Sequence, residues 1–138
     1  MEATDNTNRG TRGKTILIAE DDQVVSTLYQ RRLSQEGYQV AVAPSGSEAF
    51  RRLYFETYDL VLLDLMLPDK DGLEVLRLIR QTEKHAATRV IILSGVNLSV
   101  AREAAKQLGV RRFLVKDKAR AEEVLRAVQD ELARAEEG

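Results

Sequence analysis

The 138-residue chain has no cysteine, which excludes a disulfide framework, a thiolate metal site and a thiol nucleophile and is compatible with a reducing compartment. No apolar run approaches the roughly 20 residues that a membrane-spanning helix needs. Residues 1–13 hold Thr, Asn, Asp and Gly but no apolar stretch of the kind a signal peptide carries, and are expected to form a disordered tail. An excess of one charge is lacking too: 21 Lys and Arg stand against 22 Asp and Glu, so there is no overall electrostatic case for nucleic acid or an anionic membrane. The Arg31-Arg32, Arg51-Arg52 and Arg111-Arg112 pairs read as solvated faces. Histidine occurs once, as His85 in a polar loop, where solvent exposure and no phosphotransfer role are expected. What remains is one cytoplasmic domain, large enough for a core and too small to hold a separate effector domain beside it.

From Thr15 onward, short β-type runs alternate with amphipathic helical ones, the pattern of a parallel α/β sheet built from βαβ units. Strands are expected over 15–19, 39–43, 60–64, 90–93 and 112–115, and helices over 23–36, from a 44–48 turn to about 56, and over 72–82, 99–108 and 119–135. The domain is expected to occupy 14–135, with a short tail over 136–138. Gly37 and Gly109 stand where helices stop, and Ser45 and Glu48 have capping-box spacing. The first helix is expected to turn Val24, Val25, Leu28 and Leu33 inward, the third Leu73, Leu76 and Ile79 with Val75, and the last Ala121, Val124, Leu125, Val128 and Leu132. The fourth offers Val100, Ala101, Ala104, Ala105 and Leu108. Its inner face is mostly alanine, so it should be held less tightly than its neighbours.

The chemistry gathers at the strand ends. Leu60-Val61-Leu62-Leu63 is apolar without alternation, as in a strand covered on both faces, and it delivers Asp64 to the carboxyl edge of the sheet, before a Pro/Gly turn. On that segment alone, Asp64 is equally well a turn cap. The other strands end in Glu20 and Asp21, in Ser94-Gly95 and in Lys116. Around a topological switch point, three carboxylates would converge and repel, so a cation must balance them. An oxygen-only ligand set favours a hard ion such as Mg2+. Asp64 could then be a carboxylate nucleophile, with Lys116 neutralising phosphoryl oxygens and the Ser94 hydroxyl donating to one. Taken singly, Lys116 is an ordinary surface lysine, Ser94 a cap, and the acids after the first strand partners for a helix dipole.

The segments Ile-Leu-Ile-Ala-Glu-Asp-Asp, Leu-Leu-Asp-Leu-Met-Leu-Pro-Asp-Lys-Asp-Gly, Ile-Leu-Ser-Gly and Phe-Leu-Val-Lys, in this order, resemble the receiver domains of two-component response regulators from Lys14 to about Ala135. The resemblance implies a three-layer, flavodoxin-like (βα)5 doubly wound sheet with strand order 2-1-3-4-5. It implies phosphorylation of Asp64 by a phosphohistidine on a sensor histidine kinase or His-phosphotransfer protein, and a Mg2+ site of Glu20, Asp21 as direct ligand, Asp64 and the Met66 carbonyl. Ser94 and Lys116 become the phosphate-contacting pair. Ser94 and Phe113 become the switch, although a permanently buried Phe113 fits as well. Output would pass to an unknown protein, or to a second copy, through the face of the fourth helix, fifth strand and fifth helix, with Arg102, Lys106, Phe113, Lys118 and Glu122 as candidates. The chain is then a stand-alone regulator or a receiver taken from a longer protein.

One departure stands out: Asp117 follows Lys116 where the family usually has proline after a cis bond, so a trans peptide and a differently shaped loop are expected, with Asp117 as a possible cap of the last helix. Three rivals compete. A haloacid-dehalogenase-like phosphatase needs a second acid two residues after the nucleophile, and that position is Met66. A flavin carrier is disfavoured by the acidic first loop, which repels a cofactor phosphate. A phosphorylation-independent interaction module would be signalled by loss of an essential acid or the lysine, and neither is lost.

Overall fold

The computed structural model describes residues 13–95, 99–116 and 119–137, without the side chains of 135–137. All but Gly13 of the expected N-terminal tail lies outside these residues, as do Asp117, its preceding peptide bond, and Lys118. Five parallel strands, β1 (Thr15–Ala19), β2 (Gln39–Ala43), β3 (Leu60–Asp64), β4 (Arg89–Ser94) and β5 (Arg112–Val115), alternate with α1 (Gln23–Gln35), α2 (Gly46–Phe55), α3 (Gly72–Gln81), α4 (Ser99–Gln107) and α5 (Ala121–Glu137). The sheet order is β2-β1-β3-β4-β5, the flavodoxin-like arrangement expected. α5 runs past residue 135, where the domain was expected to close.

β3 lies at the centre and is buried at all five positions, which is why its sequence does not alternate. Its odd and even residues serve two cores. Val61 and Leu63 join α2, α3 and α4 through Ala49, Leu53, Val75, Leu76, Ile79 and Ala105. Leu60 and Leu62 join α1 and α5 through Tyr29, Leu33, Val124, Leu125 and Val128. Pairing runs Ile16 to Leu60 on one side of β3 and Asp64 to Leu93 on the other, so the ends of β1, β3 and β4 share one edge.

Local chemistry sets the helix ends. Asp22 caps α1 by accepting from the Val24 and Val25 amides at 2.9 and 3.2 Å. At the other end of α1, Gly37 with φ 106° lets its N–H reach Ser34 O while the Tyr38 N–H reaches Leu33 O, the doubly bonded stop that a left-handed residue permits. Gly109 closes α4 in the same way. Ser45 accepts from the Glu48 amide. The reciprocal capping box, however, is made by Asp71 and Glu74 on α3.

Four expectations about side-chain direction are corrected. Val24 and Leu28 are exposed, and α1 buries Ser26, Tyr29 and Leu33 instead. Both stripes have helical spacing, and packing on α5 selects the one carrying the larger aromatic. Val100 is 87% exposed, so α4 turns only its alanines and Leu108 inward. His85 is buried, not solvent-exposed. It sits in a single 3-10 turn over Glu83–His85, and its Nε2 bonds the Leu53 carbonyl at 2.8 Å. Glu122 pairs with Arg32 of α1 at 2.6 Å, on the side of α5 away from α4.

Candidate functional site

Three strand ends deliver the site. β1 is followed by Glu20, 1% exposed, and then by solvent-facing Asp21. β3 ends in Asp64, also 1% exposed, and β4 ends in buried Ser94. Beyond β5, the Lys116 N–H donates to the Ser94 carbonyl at 2.8 Å, extending the sheet pairing by one residue. The Lys116 ammonium therefore enters from the side of β5 and donates to Glu20 Oε2 at 2.8 Å and Asp64 Oδ2 at 3.0 Å.

Asp64 makes the turn-cap bond and still presents an oxygen to the cluster. Its Oδ1 accepts from the Met66 N–H at 2.9 Å, as a turn cap does, while Oδ2 faces Lys116. The turn bond fixes the carboxylate plane. The Met66 side chain is 60% exposed, and as a thioether it has no proton to supply as a second acid. The turn that follows is tied to α2: Gly46 N–H donates to Pro68 O at 3.1 Å, and Ser47 N–H to Asp69 Oδ1 at 2.9 Å. Asp69 has φ 64°, a conformation Asp and Asn tolerate. Gly72 opens α3 directly against the Asp64 backbone, and a Cβ there would lie 2.5 Å from Asp64 O.

Carboxylate oxygens of Glu20, Asp21 and Asp64 lie within 4.8 Å of one another. With one ammonium among three carboxylates, the cluster in its fully ionised form has a deficit of two positive charges. Burial pushes the Glu20 carboxyl up to about 7, with the Lys116 and Asp22 N–H bonds pulling the other way. Burial pulls the Lys116 ammonium down, but its bonds to Glu20 and Asp64 outweigh that and hold it above the ordinary lysine value. Glu20 Oε2 also takes the Asp22 amide at 2.8 Å, whereas buried Glu20 Oε1 has no hydrogen-bond partner. A buried, unpartnered anionic oxygen is costly. The donor set, all oxygen and short of two positive charges, fits a hard divalent cation such as Mg2+.

Phe113 on β5 is part-buried against the α2–α3–α4 core, and the Arg102 guanidinium lies 4.7 Å from its ring centroid. The aromatic is thus neither fully enclosed nor bare. An apolar strip beside the acids was not among the expected features. The exposed first turns of α1 form a shallow groove of about 450 Å3 lined by Gln23, Val24, Thr27, Leu28 and Arg31. Alternation of the α1 pattern between two apolar stripes was the available signal. Among the described residues, no helix is long and apolar enough to cross a membrane.

A family model described as the response regulator receiver domain matches residues 16–129. The chain is similar to the response regulator ArlR of Staphylococcus saprophyticus, 36% identical over 101 residues that make up 73% of this chain and 44% of that protein. It is also similar to the transcriptional regulatory protein ResD of Bacillus subtilis, 35% identical over 111 residues, 80% of this chain and 45% of that one. It spans less than half the length of these relatives. Among solved structures, the receiver domain of a LuxO repressor protein from Vibrio parahaemolyticus superposes with a TM-score of 0.80 at 28% identity, covering 89% of this chain and 92% of that one. A CheY-like receiver from Methanospirillum hungatei gives a TM-score of 0.82 at 24% identity, covering 90% and 97%, a likeness of fold.

Proposed function

Because the chain belongs to the response regulator receiver domains of two-component signalling, we propose that it is a phosphoacceptor whose Asp64 takes a phosphoryl group from a phosphohistidine. The donor is a sensor histidine kinase or a His-phosphotransfer protein. A carboxylate oxygen of Asp64 forms the new O–P bond as the P–N bond to the donor imidazole breaks. The observation that carries this reading is the state of Asp64: buried, fixed in orientation by the Met66 amide, and in contact with one ammonium inside a cluster that lacks two positive charges.

Glu20, Asp21 and Asp64, with the Met66 carbonyl, would hold Mg2+, Asp21 as the direct ligand. When bound, Mg2+ supplies charge that offsets the phosphoryl oxygens. Lys116 exchanges its contact with the Asp64 carboxylate for a phosphoryl oxygen. The Ser94 hydroxyl donates to another. The buried position of Ser94 near Lys116 supports that pairing. The α1 groove, which begins at Gln23, two residues after Asp21 in the chain, suits the protein that carries the phosphohistidine. An exposed apolar strip rimmed by Arg31 matches an apolar helix surface better than it matches a small donor.

Phosphorylation then changes the face formed by α4, β5 and α5, through Ser94 and Phe113. The stacked Arg102 would be released when the ring turns inward. Arg102 and Lys106 are exposed there and available for protein contact, including a second copy of the chain. Hydrolysis of foreign phosphate esters is disfavoured by Met66 in place of a second acid.

Incubation with Mg2+ and acetyl phosphate, followed by intact-mass measurement, tests the reading. One phosphoryl adduct is expected for the wild type and for Asp69→Asn, which keeps a residue tolerant of φ 64°. No adduct is expected for Asp64→Asn. An adduct that survives Asp64→Asn, or steady turnover of a phosphate ester, would refute it.

A further inference from the structure

Tyr29 lies on the side of α1 turned toward α5, 2% exposed and packed in the core that holds Val124, Leu125 and Val128. Packing accounts for the ring but not for the hydroxyl, which donates to the Ala119 carbonyl at 2.8 Å. That carbonyl precedes the helical ladder of α5, whose early bond runs from the Val124 N–H to Arg120 O. A buried tyrosine hydroxyl needs a partner, yet this partner lies 90 residues away along the chain and three residues beyond Lys116.

Two backbone hydrogen bonds among the described residues hold the main chain beside Lys116. Its own amide donates to Ser94 O, and the Ala119 N–H donates back to Val115 O, each at 2.8 Å. No proline stiffens the segment, since the chain's two prolines are Pro44 and Pro68. A lysine has four rotatable methylenes, so the place its ammonium reaches depends on where its backbone is fixed. β4 fixes that backbone from one side. From the other, the Tyr29 hydroxyl ties the Ala119 carbonyl to α1.

Resting on the phosphoacceptor reading above, we propose that Tyr29 is a positioning residue: through the Ala119 carbonyl it holds the loop carrying Lys116, and so sets where the ammonium meets a phosphoryl group on Asp64. Tyr29 does not touch the acids that would hold the metal. It reaches them only through Lys116, which bonds Glu20 and Asp64, so its loss affects binding of the phosphoryl group more than binding of the cation.

The test uses Tyr29→Phe, which keeps the ring in the core and removes only the hydroxyl. The probe is beryllofluoride with Mg2+, a stand-in for the phosphoryl group on a carboxylate. Tyr29→Phe is expected to weaken beryllofluoride binding about fivefold, the effect of one net hydrogen bond, while affinity for Mg2+ alone changes markedly less. In a Lys116→Ala background, Tyr29→Phe should have no further effect, because the two residues act in series. An equal loss with and without Lys116, a parallel loss of Mg2+ affinity, or no loss at all would overturn the proposal. Partial unfolding cannot imitate the expected pattern, since it lowers binding of both probes together. Failure of the wild type to bind beryllofluoride is a different result, and it overturns the phosphoacceptor reading itself.

Discussion

Glu20 gives the metal-free protein a pH dependence of unusual sign. Its carboxyl is pushed from 4.5 up to about 7 by burial, against the pull of Lys116. An acid whose pKa is raised on folding stabilises the native state when protonated, and that contribution is lost as pH rises from about 4.5 through about 7. The full linkage over that window corresponds to about 3.4 kcal/mol at most. Because the site opens to solvent at Asp21 and Lys116, screening reduces the expected effect to about 1–2 kcal/mol. Urea unfolding with a chelator present, at steps between pH 5 and 8, should show stability falling by this amount. Other titrating groups contribute to the same curve, so the decisive comparison is with Glu20→Gln, which keeps the shape and removes the charge. The wild type should lose stability relative to Glu20→Gln as pH rises. Saturating Mg2+ should reverse the trend, since a cation at 100 times its Kd adds about 2.7 kcal/mol and requires the ionised carboxylate. Parallel wild-type and Glu20→Gln curves without metal would refute the reasoning.

Three other outcomes follow from the fold. Val24→Glu with Leu28→Glu should slow transfer from a cognate phosphohistidine protein at least tenfold, an estimate from the loss of buried apolar contact, and leave labelling by acetyl phosphate unchanged. Equal effects on both donors would remove α1 from the docking role. His85→Ala should cost about 2–3 kcal/mol in urea unfolding, through a lost buried hydrogen bond and a cavity, and leave phosphorylation intact because His85 lies beyond the opposite edge of the sheet. Gly72→Ala should cost about 1–3 kcal/mol, since its Cβ would press on Asp64 O, and should slow phosphorylation as well. A Gly72→Ala protein with normal stability and normal labelling would show that α3 shifts away freely.

The strand ends were legible in the sequence because a doubly wound sheet fixes where its ligands bind. Four apolar runs, each closed by a polar residue, leave little choice about which side chains share an edge. The direction of α1 was not legible. Val24 with Leu28 and Val25 with Tyr29 both satisfy helical spacing, and only contact with α5 decides between them. His85 looked like a loop residue because its acceptor, Leu53 O, belongs to a different helix. The tie between Tyr29 and Ala119 spans 90 residues and involves a backbone carbonyl, which side-chain patterning does not record. For Asp64, turn cap and nucleophile were treated as alternatives, whereas two oxygens of one carboxylate accommodate both roles.

Arg80, at the end of α3, ends in neither an acid nor solvent. Its guanidinium donates to Leu108 O at 2.7 Å and Thr88 O at 2.9 Å. One side chain therefore fastens the C-terminal end of α4 to α3 and to the approach to β4. The opposite end of α4 adjoins the Ser94 side of the sheet, and its inward face offers mainly small alanines. A helix fastened by one side chain at its end and seated along its length on alanines is held unevenly, firmly beside Leu108 and lightly toward Ser99.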